Sequence, residues 1–167
     1  MNMTEPNNSA AVDALKQTFR RHASGVAVIT TRDAEGNPVG FTATSVTSLG
    51  ATPPLVSFNV ARGSSSWVSL EAAEHVALHT LGTENIELAT RMAADHTQRF
   101  APADWKFDHR GLPIIDGVSS VLILRIREIV NIEANAVLIG DVVDGFVGTE
   151  QHPLVYFQRG YRTVCEI

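Results

Sequence analysis

Residues 40–49 narrow the choice of fold more than any other stretch of the chain. They set the hydroxyls of Thr42, Thr44, Ser45 and Thr47 among apolar neighbours and run through Pro53-Pro54 into the apolar segment 55–60. Alternation of this kind suits a strand with one wet face and one dry face. On a single continuous strand Thr42 and Thr44 point one way, and Ser45 and Thr47 the other. Small hydroxyls let a planar ligand lie close to the backbone and still find hydrogen bonds. A Thr- and Ser-rich sheet edge that binds nothing is the plainer alternative.

The flanking segments extend the β reading. Val26-Ala27-Val28-Ile29-Thr30-Thr31 has the make-up of a buried strand, and the turn signal Glu35-Gly36-Asn37-Pro38 joins it to the strand beginning at Val39 as a hairpin. Further strands are expected at 55–60, 75–81, 118–132, 136–147 and 153–157. Helices are expected at 12–22, where Val12, Leu15 and Phe19 recur at helical spacing, after Ser66, and at 84–94. Residues 1–11 read as a flexible tail and 12–167 as a single domain. About six mostly consecutive strands with three helices favour a mainly β fold. The expected form is a Greek-key or up-and-down β-barrel with peripheral helices, in preference to a doubly wound parallel sheet. Neither GxGxxG nor GxxxxGK[ST] occurs.

Composition bounds the function. At 167 residues and 44% hydrophobic the chain can bury one proper core. A net charge of -5 without a basic run disfavours nucleic acid as a partner. No apolar run approaches the ~20 residues of a membrane helix, and the polar N-terminus lacks a secretory pattern, so a cytoplasmic protein without membrane attachment is expected. Cys165 is the lone cysteine and cannot form an internal disulfide. His75 and His79 stand four apart without an HExxH frame, and no metal is expected. His22, His96, His109 and His152 read as surface or loop residues, and no Ser-His-Asp pattern stands out.

A second segment draws attention. Arg62-Gly63-Ser64-Ser65-Ser66-Trp67 follows the strand 55–60 directly. A serine at a helix start caps free backbone donors. With a glycine before them and Arg62 alongside, the same donors suit an anionic group such as phosphate. An ordinary cap is the alternative, although three serines exceed what a cap needs.

Taken in order, these segments resemble the short-chain flavin reductases, the reductase components of two-component flavin-dependent monooxygenases. The likeness is carried by Gly25-Val26-Ala27-Val28-Ile29-Thr30-Thr31, Gly40-Phe41-Thr42-Ala43-Thr44-Ser45, Pro53-Pro54-Leu55-Val56 and Ser64-Ser65-Ser66-Trp67. It continues through Arg99-Phe100, Pro113-Ile114-Ile115-Asp116-Gly117, Ile139-Gly140-Asp141-Val142 and Pro153-Leu154-Val155-Tyr156 to Gly160-Tyr161. The resemblance implies an FMN-binding split barrel of Greek-key type. It also implies FMN or FAD as flavin, NADH or NADPH as reductant, a homodimer with each flavin near the subunit interface, and a separate monooxygenase that receives reduced flavin.

By position, Thr42, Ala43, Thr44 and Ser45 would line the ribityl chain and ring edge, and Asn59 and Val60 would meet the polar rim. Ser64, Ser65, Ser66 and Arg99 would hold phosphate with Phe100 beside them. Tyr161 and Trp67 read as packing, with a cover over flavin or nicotinamide as the alternative for Tyr161. The sequence departs from the family at Ala134-Asn135, where Asp-His is usual. Asn135 would then position the nicotinamide without carrying charge. Direct hydride transfer needs no proton-moving side chain, so an oriented asparagine is compatible with it. A flavin-storage or delivery protein with little reductase activity is the second reading, and a barrel that binds nothing is the third.

Overall fold

The computed structural model describes residues 8–167. In chain order the elements are α1 (Asn8–Arg20), β1 (Ser24–Gly25), β2 (Ala27–Arg32), β3 (Pro38–Ala43), β4 (Thr47–Ala51), β5 (Pro54–Ala61), α2 (Trp67–Glu71) and β6 (His75–Thr80). After these come α3 (Ile86–Ala93), β7 (Trp105–Phe107), β8 (Pro113–Ile115), β9 (Ser120–Ile132), β10 (Asn135–Val147), β11 (Val155–Phe157) and β12 (Gly160–Arg162). Two 3-10 turns occupy Thr83–Asn85 and His96–Gln98. Helix α1 begins four residues before the expected 12, so 8–11 are helical; residues 1–7 of the expected tail lie outside the described residues.

The fold is mainly β. Its frame is a seven-stranded antiparallel sheet in the order β3-β2-β6-β9-β10-β5-β4. The expected hairpin is present as β2–β3. Asp33 shapes its turn: Oδ1 accepts the amides of Glu35 at 3.0 Å and Asn37 at 2.8 Å, and Gly36 takes the left-handed φ of 85°.

The strand expected over 40–49 is two strands. It breaks at Thr44-Ser45-Val46, and its halves β3 and β4 form the opposite edges of the sheet. These three residues therefore cross the gap that makes the barrel a split one.

Side-chain alternation divides the apolar residues between two cores. Inside the curled sheet lie Ile29, Ala43, Phe58, Val76, Leu78, Leu124 and Leu138, with Trp67 and Leu70 of α2 packed among them. Phe58 is fully buried, which contributes about 2–3 kcal/mol relative to exposure. On the outer side Val28, Ala77, Val121 and Ile123 pack against Leu88, Ala89 and Met92 of α3 and against Leu112 and Ile115. The outer side of β5 and the facing part of β10 carries instead Ser57, Asn59, Ala61, Asn135, Val137 and Ile139, none of them buried.

A buried histidine ties the β7–β8 hairpin to the sheet. His79 is 0% exposed; Nδ1 lies 3.1 Å from the Val28 carbonyl, and Nε2 accepts the Ile115 amide at 3.1 Å. Those partners require the neutral ring with its proton on Nδ1. Burial pulls its pKa down to about 4, only partly opposed by the Val28 carbonyl. Thr30 Oγ1 adds a second tie by donating to the Pro113 carbonyl at 2.6 Å.

Candidate functional site

Three segments far apart in sequence meet at the β3 edge. Pro38, Val39 and Gly40 of β3, Ser65, Ser66 and Ser69 around the start of α2, and His96, Arg99 and Phe100 beyond α3 line a cleft of about 220 Å³, with Asp33 at its rim. Four residues expected at a phosphate, Ser65, Ser66, Arg99 and Phe100, are thus brought together.

Arg99 is the fixed cation of the cleft. Its Nε and Nη2 donate to the Ala94 carbonyl at 3.1 and 2.8 Å, and its Nη1 donates to the Gly40 carbonyl at 2.8 Å. A guanidinium has five N–H donors, so these three bonds leave two for an anion. Burial lowers its pKa, partly offset by Asp95, but arginine remains charged at any working pH. Asp33 opposes it. The amide of Asn37 is the largest of the hydrogen bonds holding its carboxyl below the usual range.

Helix α2 spans five residues, and the Ser66 side chain makes no cap hydrogen bond. Ser66 is 2% exposed and lines the cleft. Ser64 contributes to the turn through its backbone: its amide donates to Ala61 and its carbonyl accepts Trp67. Trp67 is core, with the Arg62 guanidinium 5.8 Å from its ring centre.

The residues expected around the ring divide by face. Thr42 Oγ1 donates to the Ala89 carbonyl at 2.7 Å, which turns it onto α3. Ala43 and Val60 are buried with their side chains in the inner core. Thr44 is exposed. Ser45 accepts the Asn59 amide at 2.9 Å, joining the crossing segment to β5. Asn135 pairs with Ala61, and Val137 with Asn59, so Asn59 and Asn135 share one face of adjacent strands. Tyr161 packs on the outer core and against Tyr156; burial raises its pKa, opposed by a hydrogen bond with Thr90.

Gly40, Asp33, Ser69 and His96 line the cleft without having been expected there. Ser69, three residues after Ser66 on the same helical turn, is the one that helical spacing could have found.

A flavin fits these residues as follows. The cleft admits a phosphoryl group with part of a ribityl chain and is too small for a whole flavin. Asn59 and Asn135 stand exposed on the outer face of β5 and β10, and Ser45 Oγ takes the Asn59 amide. Fold and cleft define the class: a split barrel with a cleft lined by serines and an arginine at its β3 edge.

The comparisons narrow the class to a family. The flavin reductase like domain matches residues 19–164, and the chain belongs to that family. It is 36% identical over 151 residues to an NADH:FMN oxidoreductase of Rhodococcus erythropolis, covering 87% of this chain and 78% of that protein. It is 31% identical to the reductase component of a flavin-dependent trigonelline monooxygenase of Acinetobacter baylyi, covering 93% of this chain and 51% of that one. The crystal structure of a flavin reductase domain protein from Arthrobacter sp. FB24 superposes with a TM-score of 0.90 at 42% identity, covering 93% and 97% of the two chains.

Proposed function

We propose that this protein is an NAD(P)H:flavin oxidoreductase that reduces FMN or FAD and passes the reduced flavin to a separate monooxygenase. The observation that carries the reading is the convergence of Ser65, Ser66, Arg99 and Phe100 on one cleft beside Gly40. Family membership and the relatives named above support it. The residues 12–167 act as one domain, and the reaction belongs in the cytoplasm, where its nicotinamide donors are found.

In this reading the bound flavin supplies the hydride-accepting ring, and the chain supplies position. Ser65, Ser66 and the two free Arg99 donors hold the phosphate. Ser45 holds the β5 backbone at Asn59 in register with the crossing segment. Asn135, on the Asn59 face, orients the nicotinamide amide by donating and accepting hydrogen bonds.

The protein works as a homodimer. Across β9, β10 and β5 the face with Asn59 and Asn135 also carries Val130, Ile132, Val137 and Ile139, with Val130 and Ile132 exposed. A second copy on that face would bury the apolar residues and wall the nicotinamide side of the site.

Purified protein mixed with FMN or FAD should oxidise NADH or NADPH rapidly, read as loss of nicotinamide absorbance. Tight flavin binding with negligible oxidation would favour a flavin carrier, the reading that the uncharged Asn135 supports. Failure to bind either flavin would remove both.

A further inference from the structure

We propose that Arg62 is a positioning residue for the nicotinamide: it clamps the turn between β9 and β10 and so aims Asn135. The inference rests on the flavin reductase reading above and adds to it a residue outside the cleft.

Arg62 does not line the phosphate cleft. It follows β5 directly and faces the β9–β10 turn. Its amide donates to the Ala134 carbonyl at 2.8 Å, and its Nη1 donates to the Glu133 carbonyl at 2.9 Å. Both central residues of the turn are thus tied to one arginine. The guanidinium carbon stands over the Trp67 ring, 5.8 Å from its centre, and that residue is only 7% exposed. A buried ring is a fixed support, and a planar guanidinium laid on it keeps few orientations.

The turn needs such a clamp. Ile132 pairs with Asn135, so Glu133 and Ala134 alone make the reversal. Two-residue hairpin loops favour Asn and Gly because the chain must enter the left-handed region. Here Glu133 enters it, with a φ of 50°. A residue with a Cβ is disfavoured there. The turn's own sequence therefore holds it weakly, and its two carbonyls are held from outside.

Asn135 comes next along the chain and is exposed. Pairing with Ala61 and Ile132 sets the face it takes, and the turn sets the path of the backbone that enters it. A drift of about an ångström in a group that orients a substrate can cost about 10²-fold in rate. Arg62 also begins the segment that leads to Ser65 and Ser66 in the cleft wall, so it ties the nicotinamide side of the site to the phosphate side.

The test is kcat/KM for NADH or NADPH, whichever the full chain oxidises faster, at saturating FMN, read beside the FMN dissociation constant. Arg62→Ala should lower kcat/KM about tenfold and move the FMN constant by less than about twofold. Arg62→Lys keeps a charged donor for the Glu133 carbonyl and should recover most of the loss. Glu133→Gly removes the disfavoured side chain, so adding it to Arg62→Ala should also recover most of the loss. In an Asn135→Ala background, Arg62→Ala should have no further effect. Full kcat/KM in Arg62→Ala, a further tenfold loss in the Asn135→Ala background, or a matching fall in FMN affinity would overturn the role of Arg62 and leave the flavin reading standing. No oxidation of either nicotinamide by the unaltered protein would overturn the two together.

Discussion

The Arg99 guanidinium donates to the Gly40 carbonyl at 2.8 Å, which fixes the cation of the cleft to β3 two residues before Thr42. The two Ala94 bonds hold its other side. Arg99→Ala should raise the FMN dissociation constant about 10- to 100-fold and cost about 1–2 kcal/mol of stability, because two carbonyls lose a charged donor. Arg99→Lys keeps the charge without the fork and should fall between the two. Flavin titration and urea unfolding read the two effects separately. Unchanged FMN affinity in Arg99→Ala would place the phosphate elsewhere.

At Gly40 the space a side chain would need is already filled. A Cβ there would lie 2.7 Å from Met92 Cε, 2.8 Å from the Ile29 carbonyl oxygen and 3.0 Å from Phe100 Cζ. The methionine can yield; the backbone oxygen of a central strand cannot. Gly40→Ala should destabilise by about 1–3 kcal/mol and displace Phe100, weakening flavin binding as well. A thermal melt equal to that of the unaltered protein would show that β3 shifts freely.

His79 makes the fold sensitive to acid. Its folded pKa of about 4 lies below the ordinary histidine value, so the unfolded chain binds the extra proton first. The stability gained from the neutral ring is present above about pH 6.5 and is lost as pH falls towards 4, by about 3 kcal/mol in all. Urea unfolding across that range should show the slope, and His79→Gln should flatten it from a lower starting stability. Equal slopes in the two proteins would mean that other groups dominate acid unfolding.

Asn135→His should alter the use of nicotinamide more than the affinity for flavin. On the shared face with Asn59 the imidazole adds a group that titrates. Turnover per unit NADH should rise up to about tenfold and become dependent on pH, with the FMN dissociation constant unchanged. A collapse of flavin affinity would place Asn135 against the flavin itself.

Most of the fold was legible because its cues are local. The hairpin β2–β3 follows from Glu35-Gly36-Asn37-Pro38, and the long strands β9 and β10 from their apolar runs. Arg125 and Arg127, which interrupt one run, both pair with Asp141 on the neighbouring strand. Illegible was anything set by a distant partner. Alternation alone does not reveal that 40–49 breaks at Thr44, since the break depends on β4 pairing with β5 and on Ser45 meeting Asn59. The same holds for Thr42, drawn to α3 by a carbonyl 47 residues away, and for His96, which enters the cleft only through the packing that follows α3. The segments of the site could be named in advance; the faces of their side chains could not.

The crossing at Thr44-Ser45-Val46 gives the barrel a seam, and the seam runs beside the proposed flavin. The Ser45–Asn59 bond fastens that seam to β5. A chain built in this way should register an arriving flavin across the whole sheet, as slower amide exchange in β3, β4 and β5 together, although these strands lie at both ends of the ladder.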